Sequence, residues 1–227
     1  MALILSIETA TTNCSVSLSK NGETLLLKED YDSNYSHAER LHVFIEDILK
    51  EAKVEKSELD AIAVSKGPGS YTGLRIGVSA AKGLCFALDI PLISISTLEA
   101  LAHQVTTENG VIVPMLDARR MEVYSAVFSS EYKIIRAIEA QILDASSFQS
   151  YLEKSKVYFI GNGVEKTQIL IKHNNAVFVD GKLPSAKEMS ALAYAKHKKN
   201  DTEDVAYFEP YYLKDFVALK PKPKPKN

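Results

Sequence analysis

The spacing of apolar and polar residues changes period along the chain, and each change marks an element. Leu3-Ile4-Leu5-Ser6-Ile7-Glu8 is a mostly apolar run of strand length. Residues 9–13 form a small polar turn, and Ser15-Val16-Ser17-Leu18-Ser19-Lys20 alternates as a half-exposed strand does. Asn21-Gly22 is a strong hairpin signal, so residues 23–28 read as the returning strand. Ser36 with Glu39 three positions on makes a capping box. The helix that follows, over 37–52, places Leu41, Phe44, Ile45, Ile48, Leu49 and Ala52 on one broad face. Residues 59–65 are apolar and partly β-branched, a fourth strand. Residues 74–88 lack proline and are rich in Ala, Leu and Val, which predicts a buried helix capped by Thr72 or Ser70. A strand over 90–95 and a second capping signal, Ser96 with Glu99, open a helix to about 105.

From Gly110 the pattern starts afresh. Strands are predicted over 111–116, 121–128 and 134–138, with a turn at 117–120, then helices over 145–154, 163–172 and 185–197. Strand meander followed by helices thus occurs twice, without a residue-level repeat. The fold class is α/β, with one unit over 1–104, a second over 105–217, and a disordered tail over 218–227.

Composition narrows this picture. At 227 residues, 46% hydrophobic and 25% charged, the chain has the make-up of a soluble globular protein. No apolar run approaches the ~18 residues of a membrane span. Residues 1–5 are too short and uncharged for a signal peptide, so a cytoplasmic protein is expected. Cys14 and Cys85 lack metal-type spacing and read as reduced, buried thiols. Lys220, Lys222, Lys224 and Lys226 alternate with proline in an extended tail. Setting those four lysines aside turns the net charge of −2 into −6, so the body by itself does not grip nucleic acid.

The candidate chemistry centres on Gly67-Pro68-Gly69-Ser70-Tyr71-Thr72-Gly73-Leu74-Arg75-Ile76-Gly77, a strand-to-helix turn. A helix N-terminus of this kind welcomes anions. Its spacing fits neither a P-loop, which needs Gly-Lys-Ser/Thr, nor the dinucleotide fingerprint, which needs two residues before its last glycine. Glu8, Thr9, Thr11 and Thr12, with Ser70 and Thr72, are candidate phosphate contacts, although the same groups can satisfy their own turn. Gly73, Gly77, Ala80, Ala81 and Ala87 make a strip almost bare of side chain, which another helix could approach closely. His37 and His42 lie about 140° apart around a helix, too far to share an ion, so no metal site is expected. Asp117, Arg119 and Glu122 read as an ion pair at a strand end.

Five segments occurring in order resemble the TsaB family of bacterial proteins: residues 4–11, 67–77, Ser96-Thr97-Leu98, Asp117-Ala118-Arg119 with Glu122-Val123-Tyr124, and Glu209-Pro210-Tyr211-Tyr212-Leu213. The resemblance implies two actin-like (ribonuclease H-like) subdomains, each a mixed five-stranded sheet flanked by helices. It implies a non-catalytic subunit without cofactor that binds TsaD, joined by TsaE, in threonylcarbamoyl transfer to the adenosine beside the tRNA anticodon. tRNA would be met only through the complex. The family's partner contact is made by two helices, mapping here to 36–52 and 72–88. On that basis His37, Leu41, Phe44, Ile48, Gly73, Leu74, Arg75, Gly77, Val78, Ala80 and Ala81 are the expected partner-binding residues. The same helices could pair two copies of the chain, and a bulky residue at Gly77 or Ala80 is expected to break the complex without unfolding the monomer. An ATP-dependent enzyme of the kinase type, or a peptidase, are the rival readings.

Overall fold

The computed structural model describes residues 1–31 and 37–214. The Ser36 cap and the lysine-proline tail lie outside them.

The first half contributes β1 (Leu3–Glu8), β2 (Cys14–Lys20), β3 (Glu23–Asp30), α1 (His37–Ala52), β4 (Ala61–Gly67), α2 (Tyr71–Leu88), β5 (Leu92–Ser96) and α3 (Thr97–Ala102). Its sheet runs β3-β2-β1-β4-β5, antiparallel among the first three strands and parallel from β1 to β5. The second half contributes β6 (Val111–Asp117), β7 (Glu122–Ser129), β8 (Ile134–Ile142), α4 (Gln149–Leu152), β9 (Val157–Ile160), α5 (Val164–Leu170) and β10 (Ala176–Val179). Its sheet, β8-β7-β6-β9-β10, repeats the first strand for strand, in order and in direction. This is the duplicated ribonuclease H-like architecture.

Alternation along the central strands sorts the core into layers. Leu5 and Ile7 of β1, with Ile62 and Val64 of β4, meet Leu41, Ile45 and Ile48 of α1 and Val78, Ala81 and Cys85 of α2. Ile4, Ala61, Ala63, Ile93 and Ile95 point the other way. They are covered by Ala100 of α3 and by Ala186, Met189 and Ala193 of α6 (Ala186–His197). Leu98 and Leu101 of α3 turn instead toward Ile112, Leu116 and Phe128 of the second sheet, so α3 is shared between the halves.

The helix α6 follows the second sheet in sequence but docks on the first. Ser17 Oγ donates to Ala186 O at 2.7 Å, Ala186 N donates to Ser15 Oγ at 2.7 Å, and Asn13 Nδ2 donates to Pro184 O at 2.9 Å. After α6 a strap crosses the edge of the first sheet. Glu203 N donates to Leu92 O at 2.8 Å and Tyr211 N to Lys66 O at 2.7 Å, while Lys82 Nζ holds Ala206 O and Phe208 O. A division after residue 104 therefore separates the sheets but not the layers.

Several predicted elements changed extent. The helix expected over 145–154 shrinks to α4 because Asp144, Ser146 and Ser147 spend their side chains on a local turn. Phe148, at φ 63, then starts the helix late. The strands β9 and β10 were not predicted. Among the described residues no helix is long and apolar enough to cross a membrane, and both cysteines are free and buried.

Candidate functional site: an open groove between two helices

The turn between β1 and β2 and the start of α2 lock together. Thr9 Oγ1 donates to Gly73 O at 2.8 Å, and Ser70 N donates to Ala10 O at 2.7 Å. Ser70 Oγ accepts from Gly73 N as the α2 cap. A Cβ at Gly73 would collide with Thr9 O, and one at Gly77 with Thr9 Oγ1. These glycines permit a close approach, and the partner is the chain's own turn. The His37 ring nitrogen Nε2 lies 2.7 Å from Thr11 O, tying α1 to the same turn. Burial holds that imidazole below its usual pKa.

This geometry divides both sets of expected site residues into buried and outward-facing members. Leu41, Ile48, Leu74, Val78 and Ala81 are 0–4% exposed and His37 is 1% exposed, so they fill the core and present nothing outward. Gly73 and Gly77 are buried too. A bulky residue at Gly77 would strike the Thr9 side chain, so, contrary to the expectation from the sequence, it would not spare the monomer. Phe44 and Ala80 are half-buried against the α1–α2 layer, and Arg75 is exposed, its guanidinium 5.4 Å from the Tyr71 ring centre. Among the phosphate candidates, Thr9 and Ser70 are committed as described, and the Thr11 backbone serves His37. Thr12 is half-buried, and Thr72 points into the groove described next. The turn amides of Ala10, Ser70 and Gly73 are thus engaged within the fold.

Glu8 closes the floor of this turn. It is fully buried on the α3/α6 side of β1, and its Oε1 accepts from Ala10 N at 2.6 Å. Ser65 lies beside it, itself 2.6 Å from Thr97 Oγ1. Burial pushes the carboxyl up to about 7, against hydrogen bonds from Ala10 and Ser65. A carboxyl sealed in this way has no access to a substrate.

What does face outward is an open groove of about 720 Å³ between α1 and α2. Ala38 and His42 form one wall, and Thr72, Ile76, Ser79, Ala80, Gly83 and Leu84 the other. A Cβ at Gly83 would meet nothing within 4 Å. At about 100° per residue, Gly83 sits about 120° around the helix from Gly77. The helix therefore carries two small-residue rows, one spent inside and one left open. Of the strip expected from the sequence, Gly73, Gly77 and Ala81 are spent inside, whereas Ala80 lines the open groove. The further signal of the open face was Thr72, Ile76, Ser79 and Gly83 at helical spacing. Phe86, 85% exposed, follows Gly83 by one turn.

In the second half, Asp117 and Glu122 are paired, but not with Arg119. Lys166 Nζ lies 3.0 Å from Asp117 Oδ1 and Lys214 contacts Glu122. Among the described residues no group of three His, Cys, Asp or Glu side chains is arranged to hold a metal.

Two five-stranded sheets of matching topology define a protein of the duplicated ribonuclease H-like class. Residues 32–222 match the family model described as TsaD: tRNA N6-adenosine threonylcarbamoyltransferase. The chain is 32% identical to the tRNA threonylcarbamoyladenosine biosynthesis protein TsaB of Escherichia coli (strain K12), covering 97% of this chain and 98% of that one. To the protein of the same name from Bacillus subtilis (strain 168) it is 29% identical, covering 93% of each. The solved structure of YeaZ from Pseudomonas aeruginosa matches with a TM-score of 0.81 at 28% identity, over 94% of this chain and all of that one. The chain belongs to the TsaB family of tRNA threonylcarbamoyladenosine biosynthesis proteins.

Proposed function

We propose that the chain is an accessory, non-catalytic subunit that binds a TsaD-type partner through the groove between α1 and α2 and holds it competent, with TsaE joining the assembly. The observation that carries this reading is the open row of Thr72, Ile76, Ser79 and Gly83 facing Ala38 and His42. A glycine in mid-helix costs about 0.5–1 kcal/mol relative to alanine, and at Gly83 no contact within the chain requires it. Close approach by another helix gives it a use. The partner's helices would enter as a pair, and a second copy of this chain is the competing occupant in the partner's absence. The non-catalytic assignment is supported by the closed turn at Thr9 and Ser70 and by the sealed Glu8 carboxyl. These features also count against a kinase-type reading.

The test is size-exclusion chromatography of the chain with TsaD, using Ala80→Arg and Gly83→Trp. Both variants should melt like the parent and elute without TsaD. Retained co-elution would remove the groove from the interface. Light scattering of the same variants alone reports whether copies self-associate through this face.

A further inference from the structure

The hairpin between β6 and β7 holds two consecutive arginines in the left-handed region, Arg119 at φ 70 and Arg120 at φ 50. Side chains other than Asn, Asp and Gly rarely adopt that conformation, and an observed outlier of this sort points toward function. The hairpin between β2 and β3 meets the same demand with Asn21 and Gly22, and the one between β7 and β8 places Tyr132 alone there, at φ 60. A brace holds the arginine turn in place. Lys166 Nζ donates to Arg120 O at 2.6 Å and Glu122 O at 3.0 Å and pairs with Asp117. Asp117 Oδ1 accepts from Arg119 N at 2.5 Å, and Asn162 Oδ1 accepts from Asp117 N at 2.8 Å.

The brace also settles the local charge. Asp117 and Glu122 are claimed by Lys166 and Lys214. Both arginine side chains are exposed, and among the described residues neither guanidinium has a carboxylate within ion-pair distance. Two unneutralised forks therefore stand on an exposed hairpin turn of a body that is otherwise net acidic. Guanidinium forks match phosphate oxygens. An exposed turn carrying two guanidinium groups, with Met121 (40% exposed) and Ile142 (74% exposed) beside it, offers a charged contact suited to a polyanion backbone.

We infer that Arg119 and Arg120 contact the phosphodiester backbone of the RNA while the chain is part of its complex. The inference rests on the accessory-subunit reading for the RNA's presence. The contact is sequence-independent and positions the RNA; it plays no part in the chemistry.

The experiment measures filter binding of tRNA to the assembled chain–TsaD complex between 50 and 200 mM salt. Arg119→Gln with Arg120→Gln should lower affinity several-fold and reduce the salt slope by about 1–2, with assembly unchanged. Arg119→Asn with Arg120→Gly relieves the backbone and should raise the melting temperature while losing the same RNA affinity. A structural role cannot produce that opposite pair of shifts. Unchanged RNA affinity in intact complexes overturns the inference, as does loss of TsaD binding by folded variants, which would assign the arginines to a protein carboxylate. If the parent chain fails to assemble with TsaD, the subunit reading falls. The arginine pair is then judged on the chain alone, by crosslinking to tRNA at low salt, where equal yield from parent and variants overturns it.

Discussion

Thr9 and Glu8 illustrate how much a single turn can decide. Gly73→Ala would drive a methyl into the Thr9 carbonyl, which belongs to a rigid strand end, whereas Gly77→Ala meets only the Thr9 hydroxyl. Overpacking of this kind costs roughly 1–3 kcal/mol. Urea midpoints should therefore fall for both variants, and further for Gly73→Ala. Glu8 supplies a pH signature. Its carboxyl titrates near 7 in the fold against a usual 4.5, so the folded state holds its proton more tightly than the unfolded one. Below 4.5 both states are protonated and the group has no effect. Between 4.5 and 7 stability falls as the unfolded chain ionises first, and above 7 the full penalty, about 3 kcal/mol, is present. Glu8→Gln should therefore raise the melting temperature at pH 8 and barely change it near pH 4.5; an equal gain at both would show that the carboxyl is not the cause. The sequence showed the polar crowding at residues 8–13 but not its direction. Thr and Ser serve a bound phosphate and a closed turn equally well, and only the carbonyls they meet tell the two apart.

Among the elements, α2 teaches most. Its position, cap and small residues were legible, because Ser70, the glycines and the uninterrupted apolar run all favour one helix. Which side faced inward was not legible, since Gly77 and Gly83 look alike in sequence and differ only in what lies opposite. Gly83→Ala should stabilise the isolated chain by about 0.5–1 kcal/mol in thermal unfolding while weakening assembly with TsaD. A gain in both would mean that no helix approaches there. The strands β9 and β10 escaped notice for a related reason. Val157-Tyr158-Phe159-Ile160 and Ala176-Val177-Phe178-Val179 are four-residue apolar runs in parallel pairing. Short parallel strands lack the alternation that reveals a strand with one wet face. The strands β1 and β2 were placed correctly because their meander carries Asn21-Gly22, but β2 is buried on both faces and not half exposed, since α6 covers its serines.

For the whole molecule, the doubled architecture was expected from the resemblance and matches the two sheets, but the sequential division at residue 104 did not anticipate α6. Nothing in Ala186–His197 names the sheet it will cover; Ser15 and Ser17, buried on β2, are its hydrogen-bonding partners. A fragment ending at residue 104 leaves Ile4, Ile93 and Ile95 without the cover of Met189 and Ala193. Each such side chain is worth about 1.5–3 kcal/mol when buried. The fragment should bind a hydrophobic dye and melt without a cooperative transition, whereas residues 1–214 should unfold in one step by circular dichroism. The strap that ties Glu203 to Leu92 and Tyr211 to Lys66 extends the same dependence to the last described turns. On the ribosome, the half translated first thus waits for a helix made after the second sheet. The inner face of that half stays open until residues 186–197 have been made, which makes the nascent chain a natural client for a chaperone.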